Sequence, residues 1–118
     1  MRCVYFSKTK NVERFVKKID LNAENGIEID QINEPFLLIT YTSGFGEIPD
    51  EVTAFLRKNG KFLEGVFGSG NKNWGDNYCK AAKDIANDFE VPLLMEFELA
   101  GNLHDVKKFN QIIKEKYE

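Results

Sequence analysis

Hydrophobic positions along this chain form short continuous runs, separated by stretches with a period near 3.6. Cys3-Val4-Tyr5-Phe6 is an apolar run bounded by polar residues, as expected of a buried strand. Beyond the polar stretch from Ser7 to Asn11, Val12, Phe15, Val16 and Ile19 recur at the spacing of an amphipathic helix. Gly26-Ile27-Glu28-Ile29 reads as a short second strand. Phe36 to Tyr41 is the strongest strand signal, continuously apolar and therefore expected at the centre of a parallel sheet. Pro49 suits the first position of a helix, and Asp50 and Glu51 complement its positive end. Val52, Phe55 and Leu56 give that helix a buried face, and Gly60 fits its C-terminal stop. Gly65-Val66-Phe67 is the core of a further strand, and Tyr78, Ala82, Ile85 and Phe89 line the next helix. Pro92 to Leu99 supplies another strand, and Val106, Phe109, Ile113 and Tyr117 a closing helix.

Strands alternating with helices predict an α/β domain with a mostly parallel sheet. No repeat, low-complexity stretch or linker interrupts the pattern, so residues 1–118 read as one domain. In such sheets ligands bind beyond the carboxyl ends of the strands, where the winding direction switches. The loops that follow strands are therefore where chemistry is expected, and three of them are unusual.

The first, Ser7-Lys8-Thr9-Lys10-Asn11, offers hydroxyls, an amide and the free N–H groups of a helix start. That set suits a phosphate, although it also suits an ordinary helix cap by Thr9 or Asn11. The second, Thr42-Ser43-Gly44-Phe45-Gly46-Glu47, flanks an aromatic with glycines. These residues let the backbone approach a flat ligand, or else make a tight turn with a surface phenylalanine. The third runs from Gly68 to Asn77, polar and glycine-rich apart from Trp74. Its tryptophan can stack on an aromatic heterocycle or plug the core, and the polar surroundings favour stacking. Together the loops fit a phosphate tail joined to a flat ring.

Composition narrows the field. The 118 residues are 42% hydrophobic, enough for a core, and hold no apolar run long enough to cross a membrane. Arg2 leads into an apolar run too short for a signal peptide, so a cytoplasmic location is expected. The net charge of −3, with no basic block, argues against nucleic acid as a partner. Cys3 and Cys79 lie far apart without metal-site spacing and read as buried thiols, and the single histidine, His104, cannot build a metal site alone. Cys79 at a helix start could have a lowered pKa, but packing is the expected role.

Four blocks carry a resemblance across nearly the whole chain. They are Tyr5 to Phe15 (YFSKTKNVERF), Ile39 to Pro49 (ITYTSGFGEIP), Gly68 to Gly75 (GSGNKNWG), and Val91 to Leu94 with Phe97 to Gly101. In this order they resemble the NrdI family, the flavodoxin-like accessory proteins of class Ib ribonucleotide reductase. The resemblance implies a flavodoxin-like three-layer α/β sandwich: a five-stranded parallel sheet, order 2-1-3-4-5, with helices on both faces. It implies FMN, with the phosphate on Ser7, Thr9, Lys10, Asn11 and Val12 and with Lys8 in the same loop. The ring would lie between Thr42-Ser43-Gly44-Phe45-Gly46 and the residues Ser69, Gly70, Asn71, Asn73, Trp74 and Gly75. Flavodoxin with FMN is itself the standard instance of switch-point binding, so that placement comes with the fold. The resemblance also implies that reduced flavin, supplied by an unidentified reductant, reacts with O₂. The resulting superoxide would serve assembly of the dimanganese–tyrosyl radical in the partner small subunit, the metal belonging to that partner.

Two features of the sequence qualify this picture. Lys10 stands where a flavodoxin-type loop usually has glycine, so the loop is either shaped differently or gains an ammonium contact to phosphate. The third loop carries Lys72 and three asparagines against a single acid, Asp76, which favours the fully reduced flavin anion. The alternative reading is a general electron-transfer flavodoxin. A receiver module would need acids after the first strand and an aspartate ending the central one, where Ser7-Lys8 and Thr40-Tyr41 stand. A phosphotyrosine-type phosphatase would need a cysteine opening the first loop, and Cys3 lies too early.

Overall fold

The computed structural model describes residues 1–118 and contains one five-stranded sheet. In chain order the elements are β1 (Arg2–Tyr5), α1 (Asn11–Val16), β2 (Ala23–Asn25), β3 (Phe36–Thr40), α2 (Asp50–Asn59), β4 (Leu63–Gly70), α3 (Lys80–Asp88), β5 (Leu93–Glu98) and α4 (Leu103–Tyr117). All neighbouring strands pair in parallel, in the order β2-β1-β3-β4-β5, so the winding reverses between β1 and β3. The expected strand order and three-layer arrangement are those observed.

Alternation along the strands divides the core into two layers. Val4, Phe36, Leu38 and Val66 face α2 and α3, packing against Val52, Phe55, Leu56, Ala82 and Ile85. Cys3, Leu37, Ile39, Phe67 and Phe97 face α1 and α4, packing against Val12, Phe15, Val106, Phe109 and Ile113. All five residues of β3 are buried, as its unbroken apolar run predicts for a strand covered on both faces. Phe15 stacks on Phe97 with ring centroids 4.0 Å apart, joining α1 to β5. Buried Asn59 ties the β2–β3 connection to α2, accepting from the Ile32 N–H at 2.8 Å and donating to the Phe55 carbonyl at 3.1 Å. A capping box, in which Asn102 and Asp105 bond reciprocally, starts α4.

Three boundaries differ from the pattern of the sequence. The second strand is Ala23–Asn25 rather than Gly26 to Ile29. There the Asn25 side chain accepts from the Ile27 N–H and winds Gly26–Glu28 into a 3₁₀ turn. Pro49 sits one residue before α2 rather than in its first turn. Gly60 ends α2 as expected, though with a right-handed φ of −60° rather than a left-handed cap. A β-carbon there would lie 2.3 Å from the partly exposed Phe89 ring. Gly68, Ser69 and Gly70, read as the start of the third loop, belong to β4 and pair with β5. Lacking side chains, Gly68 and Gly70 admit α3: a β-carbon on Gly68 would meet Ala82 at 2.6 Å.

Candidate functional site

The three loops converge on the carboxyl rim of the sheet, around a cavity of about 330 Å³ at the point where the winding reverses. Small-molecule sites of this fold class occupy that position and reach that size. The β1–α1 loop supplies Ser7, Lys8, Thr9, Asn11 and Val12; the β3–α2 loop Thr42, Ser43 and Gly44, with Tyr41. The end of β4 and the segment after it supply Ser69, Gly70, Asn71, Trp74 and Asn77, and Leu99 comes from the end of β5. Lys8 is the single charged residue in this lining.

The first loop is an array of unfilled donors. None of the backbone N–H groups from Ser7 to Val12 has an acceptor in the chain, and the Glu13 N–H is taken by Ser7 Oγ at 3.2 Å. Neither Thr9 nor Asn11 caps α1. The cap position is Lys10, which makes no side-chain cap bond, while Asn11 Nδ2 donates to Thr9 Oγ1 at 3.2 Å. Lys10 adopts the left-handed conformation (φ 68°, ψ 0°), the one glycine would adopt. The loop therefore keeps the glycine-type shape, and of the two outcomes expected for Lys10 the altered shape is not observed. Consecutive N–H groups in such a turn form a concave anion site.

The second loop folds back on itself. Ser43 N–H donates to the Glu47 carbonyl, and the Gly46 and Glu47 N–H groups both donate to the Ser43 carbonyl. Gly44 takes a left-handed φ of 51° in this turn, a conformation that glycine adopts without strain. The turn presents Phe45 to solvent, 88% exposed. Thr42 Oγ1 accepts from the Ala81 N–H and so helps start α3. Beneath the cavity the Tyr41 hydroxyl donates to Glu51 at 2.8 Å, and burial pushes its pKa up.

In the third loop Asn71 Oδ1 accepts from the Asn73 N–H and the Asn71 carbonyl from the Trp74 N–H. These bonds set Trp74 at the cavity wall, half-exposed rather than plugging the core. The Lys72 N–H donates to Glu98 at 3.1 Å, so Glu98 joins Asp76 as an acid beside this loop. That weakens the charge argument made from the loop's own residues. Cys3 and Cys79 are free and buried, and burial pushes both thiols up to about 12. The lowered Cys79 pKa considered from its helix-start position is not what the fold produces.

Over residues 3–111 the chain matches the family model described as NrdI flavodoxin-like. The chain belongs to the NrdI flavodoxin-like family. Among solved structures it is similar to a short-chain flavodoxin associated with a PDU bacterial microcompartment, with a TM-score of 0.73 at 16% identity. That match covers 96% of this chain and 93% of the other. It is also similar to the Streptococcus pneumonia TIGR4 flavodoxin, with a TM-score of 0.69 at 24% identity over 97% and 94% of the two chains. These two likenesses concern the fold. Within this NrdI-family chain, twelve of the residues expected at the site line the cavity, whereas Lys10, Phe45, Gly46, Asn73 and Gly75 do not. Lys10 and Gly75 shape their loops through positive φ, Asn73 is held by Asn71, and Gly46 packs on Asn77 and Lys80. Tyr41, Asn77 and Leu99 line it without having been singled out. Tyr41 and Leu99 directly follow β3 and β5, and that position is their signal; Asn77 ends the segment between β4 and α3. No helix is long and apolar enough to cross a membrane.

Proposed function

We propose that this chain binds FMN non-covalently at the carboxyl rim and acts as the flavoprotein activator of a class Ib ribonucleotide reductase. The observation that carries the cofactor is the run of unpartnered N–H groups from Ser7 to Val12, beside Lys8 and facing a wall that contains Trp74. Those donors suit a phosphate dianion, and the apolar faces of Trp74 and Leu99 suit the edges of a tricyclic ring. FMN bound here would supply electron transfer from an unidentified reductant to O₂, yielding superoxide for the manganese site of the partner small subunit. The chain's own part is to hold the phosphate on the first loop and to exclude water with Tyr41, Trp74 and Leu99. Gly44 keeps one peptide free to reorient beside the ring.

The partner reading rests on family membership. The fold likeness to flavodoxins favours a second reading, a general electron carrier with the same cofactor. Incubation of the purified protein with excess FMN, followed by gel filtration, is expected to yield a yellow protein with a flavin spectrum. A colourless product overturns the cofactor. The reduced holoprotein, mixed aerobically with a manganese-loaded class Ib small subunit, is expected to generate the tyrosyl radical. A stable yellow protein that produces no radical selects the electron-carrier reading.

A further inference from the structure

Leu99 is the large apolar side chain that the β5–α4 connection contributes to the cavity. Its backbone is left-handed, with φ 54°, a conformation that any β-carbon disfavours. The surrounding bonds hold it there. The Leu99 N–H donates to the Gly70 carbonyl at 2.9 Å, and Ser69 Oγ donates to the Leu99 carbonyl at 2.6 Å. The next two carbonyls, of Ala100 and Gly101, both accept from Lys18 Nζ at 3.0 Å. Gly101 lies so close to Phe15 that a β-carbon would meet its ring at 2.7 Å. Lys18 follows α1, the helix that the phosphate-type loop opens, so this strap is tied to that loop from behind. Strained non-glycine backbone persists where its surroundings over-determine it, and such positions gather at ligand clamps. Packing within the chain does not account for a leucine here, because the residue is 45% exposed and glycine would be unstrained.

We infer that Leu99 is the apolar contact that closes the cavity against the ring of the bound flavin, and that Ser69 is a positioning residue acting through it. The inference deepens the FMN reading and rests on it. Ser69 is only 4% exposed, and the single hydrogen of its hydroxyl is committed to the Leu99 carbonyl. Ser69, one of the expected cofactor-binding residues, lines the cavity and sets the left-handed leucine.

The test is a titration of the full chain with FMN and with riboflavin, read by quenching of flavin fluorescence, alongside apoprotein melting. Leu99→Ala is expected to weaken both flavins by the same factor of about ten, because the contact falls on the ring they share. Leu99→Met, which keeps an apolar contact, retains wild-type affinity. Leu99→Gly weakens binding like Leu99→Ala while its melting temperature stays within about 2 °C of wild type, since relief of the left-handed strain offsets the lost contact. Ser69→Ala weakens both flavins about fivefold and alters the visible circular dichroism of the bound flavin, a signature that a role in folding alone would not move. Wild-type affinity in both Leu99→Ala and Leu99→Gly overturns the inference and leaves the FMN reading standing. A loss confined to FMN also overturns it, because the effect would then lie at the phosphate. A wild-type chain that takes up neither flavin overturns the FMN reading and the inference together.

Discussion

At the carboxyl rim of the sheet seven residues adopt left-handed φ: Lys10, Gly44, Gly46, Gly75, Cys79, Leu99 and Gly101. At the amino rim Glu90 alone does. Glu90 has a local explanation. It ends α3 with the Glu90 N–H on the Asn87 carbonyl and the Val91 N–H on the Ala86 carbonyl, a standard helix termination. The residues of the opposite rim end no helix in this way. Three of them, Lys10, Cys79 and Leu99, carry side chains that make the conformation unfavourable. The helix-to-strand connections of the amino rim do without such backbone apart from that one helix termination. The strain at the other rim is what shapes a concave, donor-rich edge.

The sharpest way to break this contrast is a pair of glycine substitutions, one at each rim. Gly70→Ala places a β-carbon 2.7 Å from the backbone nitrogen of Cys79, so α3 must shift. A loss of about 2–3 kcal/mol in urea denaturation is expected, together with loss of flavin binding. Gly60→Ala meets the ring of Phe89, which is partly exposed and free to swing away, and is expected to cost under about 1 kcal/mol. Equal losses at the two sites would remove the distinction between the rims.

A second comparison concerns the two thiols, one on β1 and the other at the carboxyl rim. Burial raises both from 9.0 to about 12, so the folded chain holds these protons while the unfolded chain releases them above pH 9. The stability this contributes is intact below pH 9 and is lost as pH rises toward 12. Each thiol is expected to cost about 1.4 kcal/mol per pH unit across that window. Tyr41 and Tyr78, also raised by burial, add to the loss only above pH 10. Denaturation midpoints at pH 8 and pH 10 check this, and the variant Cys3→Ala/Cys79→Ala is expected to flatten the slope. A midpoint that does not move would show that the thiols are accessible.

The smallest expected effects come from relieving one strained residue at each rim. Lys10→Gly and Glu90→Gly each remove a left-handed side-chain residue and are each expected to stabilise by up to about 1 kcal/mol. Both variants are expected to retain FMN, and only Lys10→Gly is expected to change its affinity. Complete loss of flavin in Lys10→Gly would make the ammonium, rather than the turn, the essential feature of that loop.

Much of the architecture was legible as periodicity. Runs such as Phe36 to Thr40 and stripes such as Val106, Phe109 and Ile113 report burial, and burial is a property that each residue carries locally. The short edge strand Ala23–Asn25 escapes the pattern because it is half-buried throughout and has no apolar run of its own. The site was legible as three loops with unusual chemistry, yet the division of labour within them was not. Ser69 and Asn73 look like ligands in the sequence, whereas the Ser69 hydroxyl donates to the Leu99 carbonyl and Asn73, its N–H held by the Asn71 side chain, lies outside the cavity lining.

By itself, the order of apolar runs and stripes determined an α/β sheet with its loops of interest after the strands, because alternation and helical period follow from local geometry. Only the tertiary structure decided which residues face the cavity. Lys10 and Leu99 take left-handed backbone, and Gly68 and Gly70 admit α3. Those outcomes depend on contacts between segments far apart in the chain, and residue type at one position does not encode them.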